Sequence, residues 1–144
     1  MANRRLQHEL IGAEGRAASR ILLAEDDPVI NKHLTQALKK SGFEVDSARD
    51  GGEALELFQC NDYQLLITDI IMPRMDGIGL TQQVRKFRPQ LPVILMSGFS
   101  EEEVSALENI GPENTIFLQK PFAISKLMAT IAELLNPPGQ TRTE

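Results

Sequence analysis

The sequence predicts an α/β fold: a (βα)5 sandwich in which a parallel five-stranded sheet is covered on both faces by helices. Three observations carry this reading: five short apolar runs, amphipathic stretches between them, and helix start and stop signals that fall in the gaps. Strands alternating with helices at this spacing imply βαβ units joined by right-handed crossovers. A sheet of that kind is buried on both faces, so most of its strands should read as continuous apolar runs.

The elements follow in order. Ile21-Leu22-Leu23-Ala24 is the first strand. Asp27 before Pro28 opens the first helix with a side-chain cap and a proline at the first helical position. Ile30, Leu34 and Leu38 give that helix one apolar face, and Ser41-Gly42 stops it. Glu44-Val45-Asp46-Ser47-Ala48 is more polar and alternates, as a strand does at a sheet edge. Leu65-Leu66-Ile67-Thr68 is the third strand, followed by a helix marked by Leu80, Val84 and Phe87. Val93-Ile94-Leu95-Met96 is the fourth. Ser100 then precedes Glu101, Glu102 and Glu103, a cap with negative charge at a helix N-terminus and capping-box spacing from Ser100 to Glu103. Helix capping therefore accounts for these acids, and Val104, Leu107 and Ile110 line the helix they open. Thr115-Ile116-Phe117-Leu118 is the fifth strand, buried like the first, third and fourth. Ile124, Leu127, Met128, Ile131 and Leu135 mark the last helix. Residues 1–19 and 137–144 read as tails flanking a domain over residues 20–136. Leu6, Leu10 and Ile11 can give the first tail a short helix, and Pro137-Pro138-Gly139 opens the second.

A chain of 144 residues holds one ordinary domain with a core. Its apolar and charged fractions, 42% and 24%, exclude a disordered or fibrous body. A net charge of −5 disfavours nucleic acid and anionic membrane as partners, because both are bound through basic patches. No apolar run approaches the roughly 18 residues that span a bilayer, and no apolar segment near the N-terminus makes a secretion signal. Arg4-Arg5 is followed by a mostly polar stretch, unlike a twin-arginine signal. The expected compartment is the cytoplasm. Cys60 is the sole cysteine, so no intrachain disulfide forms, and it reads as an inert, half-buried thiol near a helix end.

In an open parallel sheet, ligands bind beyond the carboxyl ends of the strands. The first strand ends in Glu25-Asp26-Asp27, the third in Asp69, the fourth in Ser97-Gly98 and the fifth in Gln119-Lys120-Pro121. Two carboxylates about 4 Å apart repel by roughly 4 kcal/mol at an effective dielectric near 20, so such a cluster needs a cation or a proton. Oxygen donors at this density suit magnesium, which binds through one or two carboxylates and takes phosphoryl oxygens as further ligands. Asp69 can then attack phosphorus and form an acyl phosphate, with Lys120 as a second positive charge and Ser97 as a hydrogen-bond donor that Gly98 leaves uncrowded. Taken singly, an Asp after a strand is a cap, Lys120 a surface lysine and Ser97-Gly98 a turn; Asp27 is a cap and nothing more. Together the four strand ends carry complementary groups. Gly77-Ile78-Gly79 is a weak nucleotide signal, lacking a third glycine and a preceding strand. His8 and His33 read as solvated tail and helix positions.

These residues, Ile21-Leu22-Leu23-Ala24-Glu25-Asp26-Asp27, Asp69-Ile70-Ile71-Met72-Pro73 with Met75-Asp76-Gly77, Met96-Ser97-Gly98 and Lys120-Pro121-Phe122, resemble the receiver domain of two-component response regulators. The likeness spans about residues 20–136. It implies a doubly wound, flavodoxin-like sheet of strand order 2-1-3-4-5, as in chemotaxis regulators. It also implies Asp69 as phosphoacceptor, Asp26 as a direct magnesium ligand, Glu25 as a ligand through water, and Ile71 as a ligand through its backbone carbonyl. By the same resemblance Phe117, three residues before Lys120, is a switch residue that moves inward with Ser97; as a core residue of the last strand it has a second, purely structural reading. The responding surface is the predicted fourth helix, the fifth strand and the last helix. Ile71 and Phe99, two residues after Asp69 and Ser97, flank the path of hydrolytic water in the family and are bulky here, so a long-lived phosphoryl group is expected. The implied partners are a sensor histidine kinase or histidine phosphotransfer protein and a downstream protein, with the chain a monomer or weak dimer. No effector domain follows Pro137, so the chain reads either as a stand-alone receiver or as one cut from a hybrid kinase or larger regulator. A magnesium-dependent phosphatase or phosphotransferase with an external substrate would also use an aspartyl phosphate. Enzymes of that kind resembling haloacid dehalogenases carry a second acid two residues after the nucleophile, where this chain has Ile71, so no external substrate is expected.

Overall fold

The computed structural model describes residues 19–98, 103, 105, 108, 110–111 and 113–135. The tails with Leu6, Leu10 and Ile11, the cap at Ser100, the helix-lining Val104 and Leu107, and Phe99 lie outside the described residues.

Five strands, β1 (Arg20–Ala24), β2 (Glu44–Ala48), β3 (Leu65–Asp69), β4 (Val93–Ser97) and β5 (Thr115–Gln119), form one sheet. All pair in parallel, in the order β2-β1-β3-β4-β5. Four helices accompany them among the described residues: α1 (Pro28–Lys40), α2 (Gly51–Cys60), α3 (Gly77–Phe87) and α4 (Ile124–Leu135). This is the predicted doubly wound α/β architecture. The alternation of side chains along a strand divides the core in two. Ile21, Leu23, Leu65, Ile67, Ile94 and Met96 pack with Leu34 and Leu38 of α1 and Leu127 and Ile131 of α4. Leu22, Ala24, Leu66, Val93 and Leu95 face the other way, against Ala54 and Phe58 of α2 and Leu80 and Val84 of α3, with Ile110 in the same cluster.

Local chemistry sets the boundaries. The Asp27 side chain accepts from the backbone N–H groups of Val29 and Ile30 at 2.9 and 3.1 Å, with Pro28 at the first helical position. Ser41 caps the C-terminus of α1, and Gly42 follows at φ +100°, a left-handed conformation that glycine alone adopts without strain. Asp50 and Asp76 cap α2 and α3, accepting from Glu53 N and Gly79 N at 2.8 Å each. β2 is the polar edge strand the alternation predicts.

Three expectations need correction. β5 is not buried on both faces: Thr115, Ile116 and Phe117 are half-buried, because β5 is the second edge and has a neighbour on one side only. Phe87 continues the apolar repeat of α3 yet is 63% exposed, since the helix ends there and the core face stops at Val84. Cys60, the last residue of α2, is exposed rather than half-buried. The helix α2 also lacks a strong apolar repeat in the sequence, its buried positions being Gly51, Ala54 and Phe58.

Candidate functional site

Strand order places the ends of β1 and β3 side by side at the centre of the sheet, so Glu25 and Asp69, one residue past and at those ends, face one crevice. Carboxylate oxygens of Glu25, Asp26 and Asp69 lie within 4.8 Å of one another. Glu25 is fully buried, Asp69 is nearly so and Asp26 is exposed. From the end of β5, Lys120 reaches across: its Nζ donates to Glu25 Oε1 at 3.0 Å and to Asp69 Oδ2 at 3.2 Å.

Backbone and side-chain ties hold these groups. Asn31 of α1, itself buried, donates from Nδ2 to the carbonyls of Glu25 and Ala48 at 3.0 and 3.1 Å, pinning the β1–α1 loop to the end of β2. The second Glu25 oxygen accepts from Asp27 N at 3.0 Å. Behind Asp69, Gly77 donates from its N–H to Ile70 O at 2.8 Å, and a Cβ at position 77 would run into the Asp69 carbonyl. Gly77 is therefore needed for this close approach, not for a nucleotide. Arg74, on the loop after β3, has φ +70° and pairs with the nearly buried Asp50 at 2.8 Å. Asn31, Gly77 and the Asp50–Arg74 pair are site-building features that spacing alone does not single out.

Burial and the charge of Glu25 push the Asp69 carboxyl up from 3.8 to about 7, against the opposing pull of Lys120. Burial works against the Lys120 ammonium, but hydrogen bonds and charge from Glu25 and Asp69 outweigh it and raise its pKa. Three ionised carboxylates against one ammonium would leave two negative charges unneutralised, the complement of one divalent cation. The donors are all oxygen, one of them solvent-accessible, as a hard cation that keeps its waters requires. The residues present fit magnesium.

Of the remaining predicted residues, Ser97 and Ile71 stand at or just past strand ends, whereas Phe117 lies further back within β5. Ser97 ends β4 with its main chain beside Lys120, whose N–H donates to Ser97 O at 2.7 Å. Its side chain is fully buried and its hydroxyl donates to Glu103 Oε1 at 2.6 Å. Among the described residues, nothing lies within 4 Å of where a side chain would project from Gly98. Ile71, two residues after Asp69, is 55% exposed. Phe117 is half-buried in β5, packed on the core cluster that contains Leu66, Leu95 and Ile110.

The family model for the response regulator receiver domain matches residues 21–132. The chain is 36% identical over 116 residues to the response regulator receiver protein CpdR of Brucella abortus, covering 81% of this chain and 96% of that one. It is 34% identical to the response regulator MprA of a Mycobacterium species, again over 81% of this chain but spanning only 50% of the relative's length. Among solved structures, the receiver domain of a signal transduction histidine kinase from Syntrophus aciditrophicus superposes with a TM-score of 0.77 at 28% identity, covering 88% of this chain and 97% of that one. The response regulator TrrA of Thermotoga maritima, solved in complex with Mg²⁺ and BeF, gives 0.71 at 29% identity, covering 81% and 98%. With the doubly wound sheet and the acidic crevice at its strand ends, these matches establish that the chain belongs to the response regulator receiver domain family of two-component signalling systems.

Proposed function

We propose that Asp69 is the phosphoacceptor. The observation that carries this is Lys120 bridging Glu25 and Asp69 inside a three-carboxylate crevice. An Asp69 carboxylate oxygen bonds to the phosphorus of a phosphohistidine on a sensor histidine kinase or histidine phosphotransfer protein. The P–N bond breaks, and its electron pair leaves with the imidazole. Glu25, Asp26, Asp69 and the Ile71 carbonyl would hold magnesium, which neutralises charge on the transferring oxygens. Lys120 pairs with the acyl phosphate once formed, and Ser97 turns its hydroxyl toward a phosphoryl oxygen. Half-burial of Phe117 on an edge strand leaves it room to follow, so β5, α4 and the segment that carries Glu103 form the responding surface for a downstream protein.

The folded unit is taken as residues 20–136, in keeping with the family match over residues 21–132. It works as a signalling module without an external substrate, as a monomer or weak dimer in the cytoplasm; no helix among the described residues is long and apolar enough to cross a membrane.

The test is phosphorylation by a small phosphodonor such as acetyl phosphate, followed by intact mass. The native chain gains one phosphate that alkali removes, and Asp69→Asn gains none. An alkali-labile phosphate on the Asn variant would place the acceptor elsewhere.

A further inference from the structure

We infer that Glu103 is a positioning residue for the Ser97 hydroxyl, holding its proton away from Asp69 until a phosphoryl group competes for it. The inference rests on the phosphoacceptor reading and deepens it. Helix capping explains an acid at this point of the chain only if it stays in water, yet Glu103 is 5% exposed and lies against Ser97, which is fully buried. Burying a carboxylate is costly unless donors meet it, and Ser97 Oγ is one such donor, at 2.6 Å. That length belongs to the strong, charge-assisted class of O–H to carboxylate bonds.

A serine hydroxyl carries a single proton. While it points at Glu103, a phosphoryl oxygen on Asp69 cannot receive it. The Ser97 main chain is held against β5, paired at Gln119 and accepting from Lys120 N, so turning the side chain alone is enough to move the hydroxyl. Glu103 gives up this donor when Ser97 turns, so the helical backbone that carries it senses what sits on Asp69.

Initial rates of phosphorylation by acetyl phosphate with Mg²⁺ are compared for the native chain, Ser97→Ala, Glu103→Leu and the double variant. Removing the competing acceptor should make Glu103→Leu faster, on the order of tenfold, about the effect of one hydrogen bond to a charged group. Ser97→Ala should be slower than native, and the double variant should match Ser97→Ala if the effect of Glu103 on the rate runs through that hydroxyl. Glu103→Gln keeps the side chain's shape and should shift the rate the same way by less, which serves if the leucine variant does not fold. In metal-free buffer the thermal midpoints should show the two positions coupled, the double variant losing less than the singles combined. A slow Ser97→Ala beside unchanged Glu103 variants would overturn this inference alone, as would a Glu103 effect that persists without Ser97, or additive midpoints. A Ser97→Ala rate equal to native would instead remove the role given to Ser97, and this inference with it.

Discussion

At the residue scale, Ile71 and Phe99 carry a prediction about how long a phosphoryl group would last. On the proposed chemistry, water must reach the phosphorus in line with the bond to Asp69. Ile71 follows Asp69 by two residues and is about half exposed, an apolar branched side chain on the loop that leaves the acceptor. A polar pair at positions 71 and 99 would be able to orient water there, which apolar side chains cannot. Ile71→Asn with Phe99→Glu should therefore lose phosphate faster from Mg²⁺-loaded protein, on the order of tenfold, or about 1.4 kcal/mol of barrier. Unchanged decay of the acyl phosphate, followed by intact mass, would refute it. Asp69, Glu25, Asp26 and Lys120 are legible in the sequence because a parallel sheet gathers whatever follows its strands. Glu103 is not, because an acid three residues after a serine already has a complete local explanation as a helix cap, and only the tertiary contact reveals the second partner.

At the scale of elements, the end of the sheet remote from the crevice is tied by a polar knot. Tyr63, fully buried just before β3, donates its hydroxyl to Asp46 Oδ2 of β2 at 2.7 Å, and Arg20 of β1 donates to the same oxygen at 3.2 Å. Burial, then the hydrogen bond to Asp46 and its charge, raise the Tyr63 pKa above its ordinary value of 10.0. The neutral phenol is thus favoured in the folded state, and its contribution to stability is full below pH 10 and lost as pH rises above it. Tyr63→Phe should cost about 1–2 kcal/mol in urea unfolding at neutral pH and should flatten the alkaline loss. Equal stability and an unchanged alkaline slope would show that the knot contributes nothing. Strand positions and caps are readable because period, proline and glycine act locally: β2 occupies the predicted residues, and α1 starts and stops on Asp27 and Ser41. Edge exposure of β5 and the outward turn of Phe87 depend on neighbours that a one-dimensional pattern does not contain.

For the molecule as a whole, the crevice makes stability respond to pH and metal together. Without metal, the folded chain holds a proton on Asp69 up to about pH 7, whereas the unfolded chain releases it near 3.8. That contribution is full below the lower value and is lost as pH rises through the upper one. Magnesium favours the ionised carboxylates, so the rise in thermal midpoint on adding it should be larger at about pH 8 than at about pH 5. A rise independent of pH would mean that the ion stabilises the chain somewhere else. The ion pairs of Lys120 have a consequence in time as well as in energy. Its partners Glu25 and Asp69 lie 95 and 51 residues earlier in the chain, and Lys120 arrives at the tip of the last strand to be made. A chain clipped ahead of β5 keeps both acids but loses their counter-charge, so this ion-pair network exists only once β5 has docked on β4.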